Sequence, residues 1–112
     1  MITKIKLKLD RQAFDSVVTF TRYAADSIHV KNEAMLVAKE YLEELSWKLQ
    51  RRVSAERKSV TVSMPLWVGI LFNSQVLGVM HVAGDYERAL ANILRTEIEL
   101  QINRAIQTKM FQ

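Results

Sequence analysis

Two short stretches of the chain alternate strictly between apolar and polar residues. The first covers residues 2–9 and the second residues 59–64. A period of two is typical of a β-strand with one buried face, because successive side chains point to opposite sides of a strand. The predicted buried face consists of Ile5, Leu7, Leu9, Val60, Val62 and Met64.

Four other stretches repeat their apolar residues every three or four positions, which predicts α-helices. Their predicted bounds are about 11–28, 32–55, 65–83 and 86–108. Asp10 precedes the first helix as an N-cap, because a short side-chain oxygen can accept a hydrogen bond from the first helical turn. Asn32 or a close neighbour opens the second helix. The predicted buried stripe of the second helix is Ala34, Val37, Ala38, Tyr41, Leu42, Leu45, Leu49 and Val53.

The segment 64–83 is the most apolar part of the chain, and its apolar residues cover nearly every direction around a helix axis. It predicts a buried helix wrapped by the other helices, with Ser63 as N-cap and Pro65 in the first turn. A membrane span is the competing interpretation, since the length is sufficient. It is disfavoured because the polar residues 73–75 fall at the centre of the segment, where polar groups cost most.

The order of elements is β-α-α, repeated once, with halves at about 1–56 and 57–112. The strands and first helices align at a shift of 55 residues, and the second helices at a shift of 53, which favours an internal repeat. The alternative is that any two amphipathic helices align on their apolar stripes. Each strand needs a backbone partner, so we expect the two strands to pair antiparallel, or each to pair with a second copy of the chain. The fold class is therefore mainly α, with four helices around a buried third helix and a small antiparallel β-ribbon.

Composition favours one intracellular domain without a cofactor. The chain has 112 residues, enough for a single core, and it lacks cysteine. Disulfides, thiolate metal sites and cysteine nucleophiles are thereby excluded. The N-terminal stretch has no continuous apolar run, so we expect no secretory signal and a cytoplasmic location.

The residues available for catalysis are few. His29 and His81 are the only histidines, and neither has a second metal ligand at helical spacing. Three glycines are too few for a phosphate-binding loop. We therefore expect no enzyme activity, no metal, no cofactor and no small-molecule substrate.

Positive charge gathers at two places in a chain whose net charge is +4. Lys4, Lys6 and Lys8 occupy the polar face of the first strand, where they point at solvent or at a partner. A second basic group surrounds the end of the second helix and consists of Lys48, Arg51, Arg52, Arg57 and Lys58. These cations either stabilise the helix C-terminus or contact phosphates beside the ribbon.

The first half, from IKLKLDRQAF through AKEYLEEL, resembles the ribbon-helix-helix family of DNA-binding proteins. The resemblance implies dimerisation through the strands and a ribbon that enters the major groove of DNA. It places Lys4, Lys6 and Lys8 at the groove-facing positions, and Lys31 and Asn32 at the helix N-terminus that clamps a phosphate. Thr61 and Ser63, on the other strand, complete the candidate ribbon face.

Two functions remain open at this point. One is binding of duplex DNA through the basic ribbon, because a two-stranded ribbon fits the major groove. The alternative is a protein-interaction or assembly module without a nucleic-acid role, in which the lysines discourage edge-to-edge aggregation. A homodimer is expected, because so short a chain pairs its surplus apolar surface with a copy of itself. No membrane partner is expected.

Overall fold

A computed structural model describes residues 4–52 and 58–110. Its elements are β1 (Lys4–Asp10), α1 (Arg11–Ser27), α2 (Glu33–Gln50), β2 (Ser59–Pro65), α3 (Leu66–Ala83) and α4 (Asp85–Met110). The two strands pair with each other in an antiparallel two-stranded sheet. The predicted fold class, a mainly helical chain with a small β-ribbon, is confirmed.

Both strands bury one face and expose the other, as their alternation predicts. The buried side chains are the six predicted ones, each at most 3% exposed: Ile5, Leu7, Leu9, Val60, Val62 and Met64. Side chains on the opposite face are exposed along both strands up to Ser63. A two-stranded sheet is stable in water only when one face is packed, which is the arrangement here.

The predicted Asp10 cap is confirmed, and the second helix opens at Asn32, as expected, with Asn32 as its N-cap. The carboxylate of Asp10 accepts a hydrogen bond from the Ala13 backbone N–H at 2.7 Å, and the Asn32 side chain accepts one from the Met35 N–H at 2.9 Å. The predicted Ser63 cap is wrong, because Ser63 lies within β2 and is exposed. Pro65 holds the N-cap position of α3 instead, with φ −57° and ψ 152° and no side-chain hydrogen bond. The fixed φ of proline suits both the extended strand end and the turn into a helix.

The chain divides into two compact units, and the division runs through both strands. The first unit contains the chain up to Leu7 and from Thr61 onward, and the second contains Lys8–Val60. The halves suggested by the sequence meet between the strands, near residue 56. The observed units instead combine the beginning of β1 with the helices of the later half.

Within the first unit, α3 packs against α4 and against the beginning of β1. The guanidinium Nε of Arg95 donates a hydrogen bond to the Asn73 side-chain oxygen at 3.1 Å. One stripe of α3 is buried, and it comprises Val68, Gly69, Phe72, Val76, Leu77 and Met80. The expectation that other helices wrap α3 on all sides is not met, because Ile70 is 50% exposed and Val82 is 75% exposed.

Within the second unit, α1 packs against the C-terminal part of α2. The buried residues of α2 are Leu42, Leu45, Ser46 and Leu49. The predicted stripe is wrong toward the N-terminus, where Ala34, Val37 and Tyr41 are exposed. Helical periodicity identifies which face is apolar, but it does not show how much of the helix length a neighbour covers. Val53, the last residue of that predicted stripe, lies outside the described residues.

The burial pattern of the first half recurs in the second half at a shift of 55 residues. Five buried residues of α1 correspond to buried residues of α3 in this way: Ala13 to Val68, Phe14 to Gly69, Val17 to Phe72, Thr21 to Val76 and Ala25 to Met80. The second helices match only in part at a shift of 53: Leu45 and Ile98 are both buried, but Val37 and Tyr41 are exposed where Leu90 and Leu94 are buried. A duplication therefore stays a hypothesis that the strands and first helices favour.

Candidate functional site

The exposed face of β1 carries Lys4, Lys6 and Lys8, which we call the lysine face. All three side chains are exposed, and none forms an ion pair or hydrogen bond through its ammonium group with a described residue. The strand geometry causes this placement, because the apolar residues between the lysines are completely buried. The lysine face is therefore a row of solvated positive charges on a backbone that is held in place from behind.

The neighbouring strand adds hydroxyl groups to the same open side of the ribbon. Thr61 and Ser63 are exposed at alternate positions of β2. Hydroxyl side chains can contact phosphates or base edges, whereas they add no charge. The ribbon is thus basic on β1 and neutral and polar on β2, with Lys58 exposed just before β2.

The side chain of Gln101, from α4, closes part of the outer edge of β1. Its amide oxygen accepts a hydrogen bond from the Lys6 backbone N–H at 2.9 Å, and its amide nitrogen donates one to the Lys6 carbonyl at 2.7 Å. The same nitrogen also donates to Glu97 at 2.7 Å. Lys6 therefore has both backbone groups satisfied on this edge, and its side chain remains on the open face.

Some of the predicted flanking residues already have partners within the chain. Lys31 is exposed beside Asn32, but the Asn32 side-chain oxygen is already used as the N-cap of α2. Lys48 lies 3.3 Å from the Glu44 carboxylate. The Glu44 carboxylate reduces the net charge that the end of α2 can offer to a phosphate.

The remaining residues of the second basic group lie at the end of α2 and beyond it. The Arg51 guanidinium lies 5.9 Å from the ring centre of Trp47, an indole that is 66% exposed. Arg52 is half-buried. Arg57 lies outside the described residues.

The described residues contain no cluster of metal ligands. Among residues 4–52 and 58–110, no group of three or more His, Asp or Glu side chains is placed to hold a metal ion. His29 is exposed and His81 is half-buried near the end of α3. An open pocket of about 280 Å³ lies between α1 and α2, and its lining mixes Arg22 with Asp26 and Glu43. Because the lining carries both positive and negative side chains, it favours neither anionic nor cationic ligands.

The outward side of α3 is an apolar surface that the sequence analysis missed. We call it the α3 outer face and define it by Ile70, Ser74, Gly78 and Val82, with the half-exposed Trp67 at its N-terminal end. These residues recur every three or four positions, so they lie along one side of the helix. The apolar residues were visible in the sequence. A helix that is apolar on all sides, however, does not show which of its sides is buried and which is exposed.

The two glycines of α3 differ in their surroundings. A Cβ atom on Gly69 would lie 2.7 Å from Cγ1 of Ile5, so a close approach within the chain requires glycine there. A Cβ atom on Gly78 would meet nothing within 4 Å. The intramolecular packing of the described chain therefore gives no reason for glycine at position 78, on the α3 outer face.

By length and composition, α3 is also the one helix among the described residues that could cross a membrane. Its 18 residues have a mean hydropathy of 1.5, and a third of them are buried within the protein. Core helices of soluble proteins pass the same test, so this property is weak evidence for a span.

The described chain is a mainly helical protein with a two-stranded antiparallel sheet, an exposed row of lysines on β1 and exposed apolar side chains on α3. No protein-family model, curated protein or solved structure matches the chain.

Proposed function

We propose that this chain is an assembly module that forms homo-oligomers through exposed apolar helix surface. The observation that carries the proposal is the α3 outer face, where Ile70 and Val82 are 50% and 75% exposed. Exposed apolar area costs about 25 cal/mol per Å² relative to burial, so the exposed side chains of Ile70 and Val82 favour association.

Sedimentation velocity across a concentration series tests this proposal. We expect a species heavier than the 12.9 kDa protomer at micromolar concentration, and a larger oligomeric fraction when sulfate is added. Sulfate strengthens apolar association and screens charge, so the same addition would weaken an oligomer held by ion pairs. A chain that remains a monomer over the whole series contradicts the proposal.

Binding of duplex DNA is the second candidate function, and the lysine face favours it. The three exposed ammonium groups on one strand, beside the hydroxyls of Thr61 and Ser63, have the spacing and chemistry of a ribbon that enters a major groove. The ribbon-helix-helix resemblance supports the same proposal. Its test is a binding titration with generic duplex DNA at low salt, in which absence of binding would remove this candidate.

The two functions are compatible, because they use different surfaces. An oligomer would bring several lysine faces onto one duplex and raise the apparent affinity through effective concentration. We expect a cytoplasmic location under either proposal.

A further inference from the structure

We propose that the side chain of Gln101 keeps the outer edge of β1 closed against a second copy of this chain, and that Glu97 holds the Gln101 amide in the orientation that this requires. The outer edge is the row of backbone groups on the side of β1 that faces away from β2, its only neighbour in the sheet. An open strand edge is a template for pairing with another chain. The inference is independent of the proposed assembly through α3, because it concerns a different surface.

The Gln101 amide occupies the place that a peptide group of a third strand would take. In an antiparallel pair, a residue that faces the neighbouring strand exchanges two hydrogen bonds with it, one through its N–H and one through its carbonyl. Lys6 forms both of these bonds with one side chain, donating to Gln101 Oε1 at 2.9 Å and accepting from Gln101 Nε2 at 2.7 Å. A strand from a second copy needs the same two groups of Lys6, so it pairs there only after Gln101 has left.

One side chain is sufficient because the edge is short. The described strand covers Lys4–Asp10, and Asp10 is already the N-cap of α1. Backbone groups of alternate residues point to the same side of a strand, so the outward groups before this cap belong to Lys4, Lys6 and Lys8. Lys6 is the middle one of the three. A partner strand that bonds to two neighbouring outward residues therefore has to bond to Lys6.

Glu97 determines the orientation of the Gln101 amide. It lies one helical turn before Gln101 on α4, and its carboxylate accepts a hydrogen bond from Gln101 Nε2 at 2.7 Å. With the amide reversed, the amide oxygen would face the Glu97 carboxylate, and the amide nitrogen would face the Lys6 N–H, so both contacts would become repulsive. The amide is thus fixed as acceptor for the Lys6 N–H and donor to the Lys6 carbonyl.

The lysine face opposes the same pairing by charge. Residues that lie opposite each other in an antiparallel pair point to the same face of the sheet, and like charges there are destabilising. The register with the most hydrogen bonds places Lys6 opposite Lys6 of the second copy, and Lys4 opposite Lys8. Salt screens this repulsion between exposed charges, whereas it leaves the Gln101 amide in place. High salt therefore isolates the contribution of Gln101.

Single-cysteine cross-linking measures the block, because the chain has no cysteine. Lys6→Cys is combined with Gln101→Leu, and disulfide formation is followed under mild oxidation in about 1 M NaCl, where the screening length is about 3 Å. Facing residues of a hydrogen-bonded antiparallel pair have Cα atoms about 5.5 Å apart, which suits a disulfide. We expect cross-linking about tenfold faster than in Lys6→Cys alone, since two hydrogen bonds no longer compete with association.

Two controls separate the strand edge from other causes of association. Gln107→Leu adds the same apolar side chain at an exposed position of α4, and it should leave the cross-linking of Lys6→Cys unchanged. Ser63→Cys is exposed on the same face of the sheet but lies on β2. Because an edge-to-edge dimer keeps the two β2 strands apart, Gln101→Leu should not accelerate cross-linking at position 63.

Glu97→Leu is a second variant, and it leaves Gln101 in place. Loss of the orienting carboxylate allows the amide to turn, so Lys6→Cys should cross-link at a rate between those of the parent and Gln101→Leu backgrounds. Glu97→Gln keeps an oxygen that accepts from Gln101 Nε2, and it should restore the slow rate.

The outcomes are decisive in either direction. The block is wrong if Gln101→Leu, shown to be folded by circular dichroism, cross-links at position 6 no faster than Gln107→Leu. It is also wrong if Gln101→Leu accelerates positions 6 and 63 equally, because association then uses another surface. If Gln101→Leu does not fold, equal rates in Glu97→Leu and Glu97→Gln overturn the proposal. Each comparison holds whether the parent is a monomer or an oligomer, so it is separate from the test of assembly.

Discussion

The side chain of Gln101 bonds to the backbone of Lys6 as a neighbouring strand would, accepting from its N–H and donating to its carbonyl at 2.9 and 2.7 Å. Both strands of a two-stranded sheet have an outer edge, and an unpaired edge invites pairing with another chain. At Lys6 this edge is occupied from within the protein. Pairing of the β1 edge with a second copy, which the sequence left open, would have to displace Gln101.

We predict that Gln101→Leu lowers the free energy of unfolding by about 1–2 kcal/mol, because two exposed hydrogen bonds to Lys6 and a third to Glu97 are lost. Urea denaturation measures the change. Gln107→Leu, at an exposed position of the same helix, serves as the control and should change stability by less than about 0.5 kcal/mol. Equal effects of the two substitutions would show that the bonds to Lys6 do not contribute to stability.

The two glycines of α3 should respond to alanine with opposite signs. Gly69→Ala places a methyl group against Ile5 and should destabilise the protein by about 1–3 kcal/mol through overpacking. Gly78→Ala should stabilise the protomer by about 0.5–1 kcal/mol, because alanine is the better helix former and the space is open. Thermal denaturation at low protein concentration compares them. A stabilised Gly69→Ala variant would contradict the close contact with Ile5.

Thr21 carries a buried hydroxyl whose removal should help the fold. The residue is 0% exposed, and its Oγ1 has no hydrogen-bond partner among the described residues. The corresponding position in α3, 55 residues later, is the equally buried Val76. Thr21→Val keeps the shape and removes an unsatisfied polar group, so we expect stabilisation by about 1–3 kcal/mol. Thr19→Val, on the exposed side of α1, is the control, and a loss of stability in Thr21→Val would indicate that the hydroxyl has a partner in solution.

The starts of α1 and α3 should differ in their dependence on a polar cap. Asp10→Ala removes the acceptor of the Ala13 N–H and should cost about 0.5–2 kcal/mol. Ser63→Ala should cost little, because Ser63 lies in β2 and caps no helix. Urea denaturation compares the loss of stability in the two variants. A large loss in Ser63→Ala would show that Ser63 caps α3 after all.

If DNA binds to the ribbon, the salt dependence of binding should report the lysine face. Changing Lys4, Lys6 and Lys8 together to Ser removes three exposed charges without touching the core. Each phosphate contact releases about 0.9 counterion, so the slope of log K against log salt should become shallower by about 3. Circular dichroism checks that the variant is folded. Equal binding and equal slopes for parent and variant would exclude the lysine face as the DNA contact.

Features that depend on near neighbours in the chain were predictable from the sequence. The alternation of β1 and β2 indicated which six side chains are buried, because a strand has only two faces. Asp10 was recognisable as a cap, since its partner lies three residues away. The lysine face followed from the same alternation.

Features that depend on distant neighbours required the folded chain. The all-round apolar composition of α3 could not reveal that one side is left open, because only the placement of α4 and β1 determines which side is covered. The exposure of Val37 and Tyr41 depends on where along α2 the packing against α1 stops. The periodicity of the sequence does not show how much of a helix is covered by its neighbour. The bond between Gln101 and Lys6 joins residues 95 positions apart, a separation at which local patterns carry no information about contact.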